Sequence, residues 1–211
     1  MRVLGYAKMG VVMEVRLSEF AAIVGTRVDT IRNAIRQNKL PFLDANRQNA
    51  ETKDKLARRT YSASDAFGWF LQDRISTALG FGAWGSAGRV QSAWPRGLSW
   101  YARDRLAGEP MSEFYLIFAE GLPSVDGVIS SSLDRASHSV VGDAGFVDDL
   151  RSKYTFVTAI KLDSVFDLFL RVTKSRGWTV SEDGFAEADG NEATRARMLA
   201  RERAMGLASE P

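Results

Sequence analysis

Five polar side chains between positions 29 and 37, Asp29, Thr30, Asn33, Arg36 and Gln37, fall on one face of a helix turning about 100° per residue. Val28, Ile31 and Ile35 fall on the other face, where they must pack against something. Arginine pairs bidentately with a guanine edge, and asparagine or glutamine with an adenine edge. Arg27 and Arg32 flank this face, better placed for phosphates than for bases. A helix with one sealed side and one such side has the chemistry needed in the major groove of double-stranded DNA.

Such a helix works only if neighbouring elements aim it. Upstream, Leu17 to Gly25 offers Ser18 as an N-cap, Phe20, Ala21, Ile23 and Val24 at helical spacing, and Gly25 as a stop. Thr26-Arg27-Val28-Asp29 has the form of a capping box, so the spacing predicts helices near Ser18–Val24 and Val28–Asn38 with a turn at Gly25. Asn38 suits a left-handed C-terminal position, and Pro41 forbids continuation. Leu43 to Leu56 is polar, basic and aperiodic, and Arg58-Arg59-Thr60-Tyr61 has strand character, so Phe42 to Tyr61 is expected to form a strand-loop-strand wing. A supporting helix opens at Ser62-Ala63-Ser64-Asp65 and continues through Phe67, Phe70, Leu71 and Ile75, with Gly68 weakening it by about 1 kcal/mol.

Thr30-Ile31-Arg32 followed by Leu40-Pro41, and then Arg58-Arg59-Thr60-Tyr61-Ser62-Ala63-Ser64-Asp65, arrive in the order found in the excisionase and MerR-type winged helix-turn-helix superfamily, which the segment from about Val15 to Ala78 resembles. The resemblance implies that Thr30, Arg32 and Asn33 face DNA and that Arg58 and Arg59 belong to the wing, near the minor groove or backbone. Asn33-Ala34 stands where MerR regulators carry an aromatic pair, which moves the likeness toward excisionase-like domains.

Charge is distributed to match. Residues 1–78 hold 13 Lys/Arg against 8 Asp/Glu, a balance of +5, and the remainder holds −3. Between Arg27 and Arg59 the basic residues are Arg27, Arg32, Arg36, Lys39, Arg47, Lys53, Lys55, Arg58 and Arg59, against Asp29, Asp44, Glu51 and Asp54. Such a patch favours a polyanionic partner. Thiolate metal sites, disulfides, zinc fingers and triads needing a second imidazole are excluded, because the chain has no cysteine and the single histidine His138. With 45% hydrophobic and 26% charged residues the composition is that of a folded protein. No apolar run approaches the roughly 18–20 residues a bilayer requires, and no signal peptide is expected before Met13, a candidate natural start. A cytoplasmic location fits.

The second half shows elements but no legible site. Leu79 to Gly97, with Gly80, Gly82, Gly85, Gly88 and Pro95, is expected to be a linker or irregular loop. Phe114–Ala119 and Tyr154–Ile160 have strand composition, with shorter strands expected at Val125–Ile129, Ser139–Val141 and Trp178–Val180. Ser164 to Arg176 predicts a helix capped by Asp163 or Ser164, burying Val165, Leu168, Phe169 and Val172 and ending at Gly177. Asp143, Asp148 and Asp149 lack calcium-loop spacing, Ser130-Ser131-Ser132 lacks the frame of a nucleophile elbow, and Gly80-Phe81-Gly82 lacks the lysine of a phosphate loop. His138 is expected in a turn or at a strand edge. Glu192–Leu207 is expected to form a thinly apolar helix, as a surface helix, a frayed tail or a partner-docking segment.

These pieces predict an α+β protein: a winged helix-turn-helix domain over 1–78, a linker over 79–98, a small α+β dimerisation or sensor domain over 99–190, and a helical or flexible tail over 191–211. The expected function is a sequence-specific DNA-binding transcriptional regulator, neither an enzyme nor a cofactor carrier, acting as a homodimer on two half-sites. The C-terminal domain could also contact a second protein; no membrane is involved. The alternatives are an excisionase-like recombination factor or small-terminase-like packaging protein, and a protein-interaction module that binds no DNA.

Overall fold

A computed structural model of the chain describes residues 13–42, 59–80, 82–111, 113–123 and 136–207, which form a mixed assembly of helices and small antiparallel sheets. The chain enters through a short strand β1 (Val15–Arg16), then helix α1 (Leu17–Val24), a three-residue turn and helix α2 (Val28–Arg36). Gly25 sits at φ 68°, the left-handed conformation a stop glycine supplies, and Thr26 N–H closes the turn on the Ala21 carbonyl at 2.9 Å. Asn38 takes φ 54°, as its type favours. The caps expected at Ser18 and Thr26 do not form: the N-cap positions are Arg16 and Arg27, neither making a side-chain cap bond, and α2 closes at Arg36 rather than Asn38.

Strand β2 (Thr60–Tyr61) pairs antiparallel with β1, Val15 opposite Tyr61. The described partner of Thr60–Tyr61 is therefore the segment before α1, and the remainder of the expected wing, residues 43–58, lies outside the described residues. Helix α3 (Ala63–Leu79) opens on the capping box read from the sequence: Asp65 N–H donates to Ser62 Oγ at 3.2 Å and Ser62 N–H to Asp65 Oδ2 at 2.9 Å. An aromatic nest holds this part together, with Phe20 stacked on Tyr61 at 4.3 Å between centroids and edge-on to Phe42 and Trp69.

The expected linker is helical. Helix α4 (Ala83–Ala93), a 3-10 turn (Trp94–Arg96) and helix α5 (Leu98–Leu106) follow α3 directly. Ala87, Val90, Ala93 and Trp94 are buried on one stripe of α4 and its end, a period hidden in the sequence by the glycines between them. Gly68 has a packing reason: a Cβ there would meet the Trp94 ring at 2.8 Å.

Strands β3 (Tyr115–Pro123), β4 (Ala136–Gly142) and β5 (Tyr154–Lys161) form an antiparallel sheet with β3 central. Side chains of β3 alternate as a strand buried on both faces requires. Leu116 and Phe118 enter the main core, while Ile117 and Ala119 pack with Val147 and Leu150 of helix α6 (Ala144–Lys153). His138 falls on the edge strand β4, opposite Ala119 in register. The expected strand at Val125–Ile129 lies outside the described residues.

Helix α7 (Leu162–Ser175) starts earlier than expected, after Lys161, and its buried face is rotated: Leu162, Phe166, Phe169 and Thr173 are sealed, whereas Val165, Leu168 and Val172 are half-buried. The rotation follows from aromatic packing, with Phe67 5.1 Å from Phe166 and 5.7 Å from Phe169 between centroids. The final strand expected at Trp178 becomes a hairpin, β6 (Trp178–Ser181) with β7 (Gly184–Glu187). Helix α8 (Asn191–Ala204) is short of apolar residues, yet it docks on α1 through arginine. Arg197 is buried and donates to the Gly177 and Ala188 carbonyls at 3.1 and 2.6 Å, and Arg201 reaches Glu187 at 3.0 Å and Glu19 at 3.4 Å. One continuous core thus runs from Val15 through Phe67, Trp94 and Phe169 to Ala204, and no break in it separates the two halves at residues 79–98.

Candidate nucleic-acid interface

Helix α2 is anchored by Ile31 and Ala34, fully buried, with Val28 and Ile35 packed at the margin. That anchoring turns Asp29, Arg32, Asn33 and Arg36, spaced i, i+3, i+4 and i+7, outward as one exposed stripe. Thr30 and Gln37 are also exposed and border it. Sequence periodicity placed Arg32 at the flank; it lies within the stripe, 3.1 Å from Asp29 Oδ1, so the carboxylate presets the direction of the guanidinium. Both partners stay open to solvent, Arg32 at 52% and Asp29 at 84%, so the pair orients the side chain more than it stabilises the helix.

The remaining basic residues divide. Lys39 and Arg59 are half-buried and engaged with neighbours. Arg47, Lys53, Lys55 and Arg58 lie outside the described residues. Arg27 departs from the stripe: it abuts the end of α8, where a Cβ on Gly206 would come within 3.2 Å of its Nη2. Thr30 borders the same space, a cleft of about 700 Å³ between the start of α2, the end of α7 and the outer face of α8. Sequence reasoning missed this cleft, because its residues come from positions 25–30, 172–176 and 196–204 and share no local pattern.

Comparison with family models, with curated proteins and with solved structures finds no match to this chain.

Elsewhere the acidic residues are used structurally. Asp143 caps α6 by accepting from Phe146 N–H at 2.9 Å, while Asp148 and Asp149 lie inside α6 and pair with Arg151 and Lys153. Asp163 accepts from Tyr101 Oη at 2.9 Å and Asp167 pairs with Arg105 at 3.1 Å, joining α5 to α7; burial and this carboxylate push the Tyr101 hydroxyl far above its ordinary pKa. Among the described residues no group of three or more His, Cys, Asp or Glu gathers as a metal set, and no helix is long and apolar enough to cross a membrane.

Proposed function

We propose that the chain is a sequence-specific double-stranded-DNA-binding protein, a transcriptional regulator whose α1, turn and α2 act as a helix-turn-helix. The observation that carries this reading is the stripe Asp29, Arg32, Asn33 and Arg36, exposed on a nine-residue helix whose opposite face is sealed by Ile31 and Ala34. A rigid helix with guanidinium and carboxamide groups outward is what major-groove readout requires. Arg32 and Asn33 take the base edges, and Arg36 and Lys39 take phosphates at the end of the helix. The basic residues Arg47, Lys53, Lys55 and Arg58, between Phe42 and β2 in sequence, add positive charge to the same part of the chain. Support also comes from the excess positive charge of residues 1–78. No catalytic step is assigned.

An electrophoretic mobility shift against genomic fragments over a salt series tests the reading. Sequence-preferring binding whose log affinity falls linearly with log salt supports it; no shift at ~50 mM salt with micromolar protein overturns it. A footprint then separates roles that share this DNA face. Protection of the chain's own upstream region, over two half-sites about one helical turn apart for a dimer, marks a regulator. Protection of an attachment or packaging site moves the purpose to recombination or packaging.

A further inference from the structure

Several arginines of this protein pair with carboxylates. Arg32 meets Asp29, Arg74 meets Asp73, Arg105 meets Asp163 and Asp167, and Arg197 and Arg201 share Glu187. The cleft between α2, α7 and α8 gathers three arginines without such partners among the described residues. Arg27, Arg176 and Arg203 line it together with the hydroxyl residues Thr26, Thr30 and Ser175, and no carboxylate is among its lining residues. Arg27 and Arg203 make no ion pair among the described residues. Arg176 is held by a bond from its Nη1 to the Ile23 carbonyl at 2.8 Å, a neutral partner, and makes no ion pair among the described residues.

Arg176 senses the charge of Arg203. Burial first, and then the positive charges of Arg74 and Arg203, lower the Arg176 pKa below its ordinary value, with Asp73 opposing them. Val172 and Leu199 add apolar wall to the cleft, and its volume of about 700 Å³ is that of a small-molecule site. A bare phosphate of a DNA backbone needs neither the volume nor the apolar wall.

We propose that this cleft binds a small organic phosphate, its oxyanion held by Arg27, Arg176 and Arg203 and its carbon skeleton lying against Val172 and Leu199. Guanidinium groups are the natural partners of phosphate oxygens, which they grip through paired hydrogen bonds. The inference stands apart from the DNA reading, since the cleft and its charges exist whether or not α2 meets DNA. It does connect to α2 physically, because Thr26, Arg27 and Thr30 belong to the turn and first turn of that helix.

Titration calorimetry of the full chain with inorganic pyrophosphate, at constant ionic strength of ~0.15 M, tests the site. One pyrophosphate per chain is expected, weakened about tenfold or more by Arg203→Ala and unchanged by Arg195→Ala, an exposed arginine of α8 outside the lining. Absence of binding to the unmodified chain overturns the proposal, as does equal weakening by both variants. A nonspecific duplex run beside pyrophosphate separates the sources of phosphate: if the duplex displaces pyrophosphate and Arg203→Ala weakens both alike, the cleft belongs to a DNA backbone and the small-ligand site is refuted.

Discussion

Arg176 lies across Gly25: a Cβ built on that glycine would fall 2.2 Å from the arginine Nη2, while Nη1 donates to the carbonyl of Ile23 at 2.8 Å. The end of α7 is thereby fastened to the turn that sets the direction of α2, across more than 150 residues of sequence. Two demands meet at Gly25, a left-handed backbone and an empty side-chain position.

Gly25→Ala therefore acts twice. The left-handed conformation costs a residue with a Cβ about 1–2 kcal/mol, and displacing the guanidinium forfeits a hydrogen bond from a charged donor, roughly another 1.5–3 kcal/mol. In an Arg176→Ala background only the backbone part should remain. A double-mutant cycle by urea denaturation measures the difference, and a coupling near zero would show that Arg176 does not restrain the turn.

Helix α3 gives the opposite of a propensity expectation. Alanine is a better helix former than glycine by about 1 kcal/mol, so Gly68→Ala alone in an exposed helix would stabilise. Here the new methyl meets the Trp94 ring at 2.8 Å inside a sealed core, so the substitution should destabilise, by roughly 1–3 kcal/mol. Trp94→Leu in the same chain should recover part of that loss. A thermal melt that rises for Gly68→Ala alone would mean that the α3–Trp94 contact is looser than drawn.

The cap of α3 is separable from its core. Ser62→Ala removes the acceptor for Asp65 N–H and should lower stability by about 1 kcal/mol; Asp65→Ala, which strands Ser62 N–H, should cost a similar amount. Because the two bonds form one reciprocal unit, the double variant should lose less than the sum. Strict additivity in chemical denaturation argues against a formed box.

What the sequence disclosed and what it hid follow one physical division. The left-handed stops at Gly25 and Asn38, the box at Ser62 and Asp65 and the two-sided apolar run of β3 are local consequences of residue type. Helix α4 escaped notice because Gly85 and Gly88 dilute a stripe, Ala87, Val90 and Ala93, that only the approach of α3 and β4 makes favourable. The face of α7 was misjudged by one rotamer row because Phe67 and Tyr101, distant in sequence, pull Phe166 inward. At the interface the outward stripe of α2 was legible from its period, whereas the cleft beside it is assembled from three separate segments.

The pair Asp29–Arg32 offers the sharpest test of the proposed interface, because its two members should respond in opposite directions. Arg32→Ala and Asn33→Ala each remove a proposed base contact and should cost about 1–3 kcal/mol on the preferred DNA sequence while changing nonspecific binding less. Arg36→Ala should weaken all sequences alike and reduce the salt slope by about 1. Asp29→Asn removes a carboxylate that repels phosphates and frees Arg32 from its 3.1 Å restraint, so nonspecific affinity should rise and discrimination fall. Arg151→Ala, on α6, serves as the control that should change nothing. Mobility shifts with a preferred and a scrambled duplex at matched salt read all five variants. If Asp29→Asn weakens binding to both duplexes, the carboxylate contacts DNA itself or holds α2 in place, and the stripe must be reassigned.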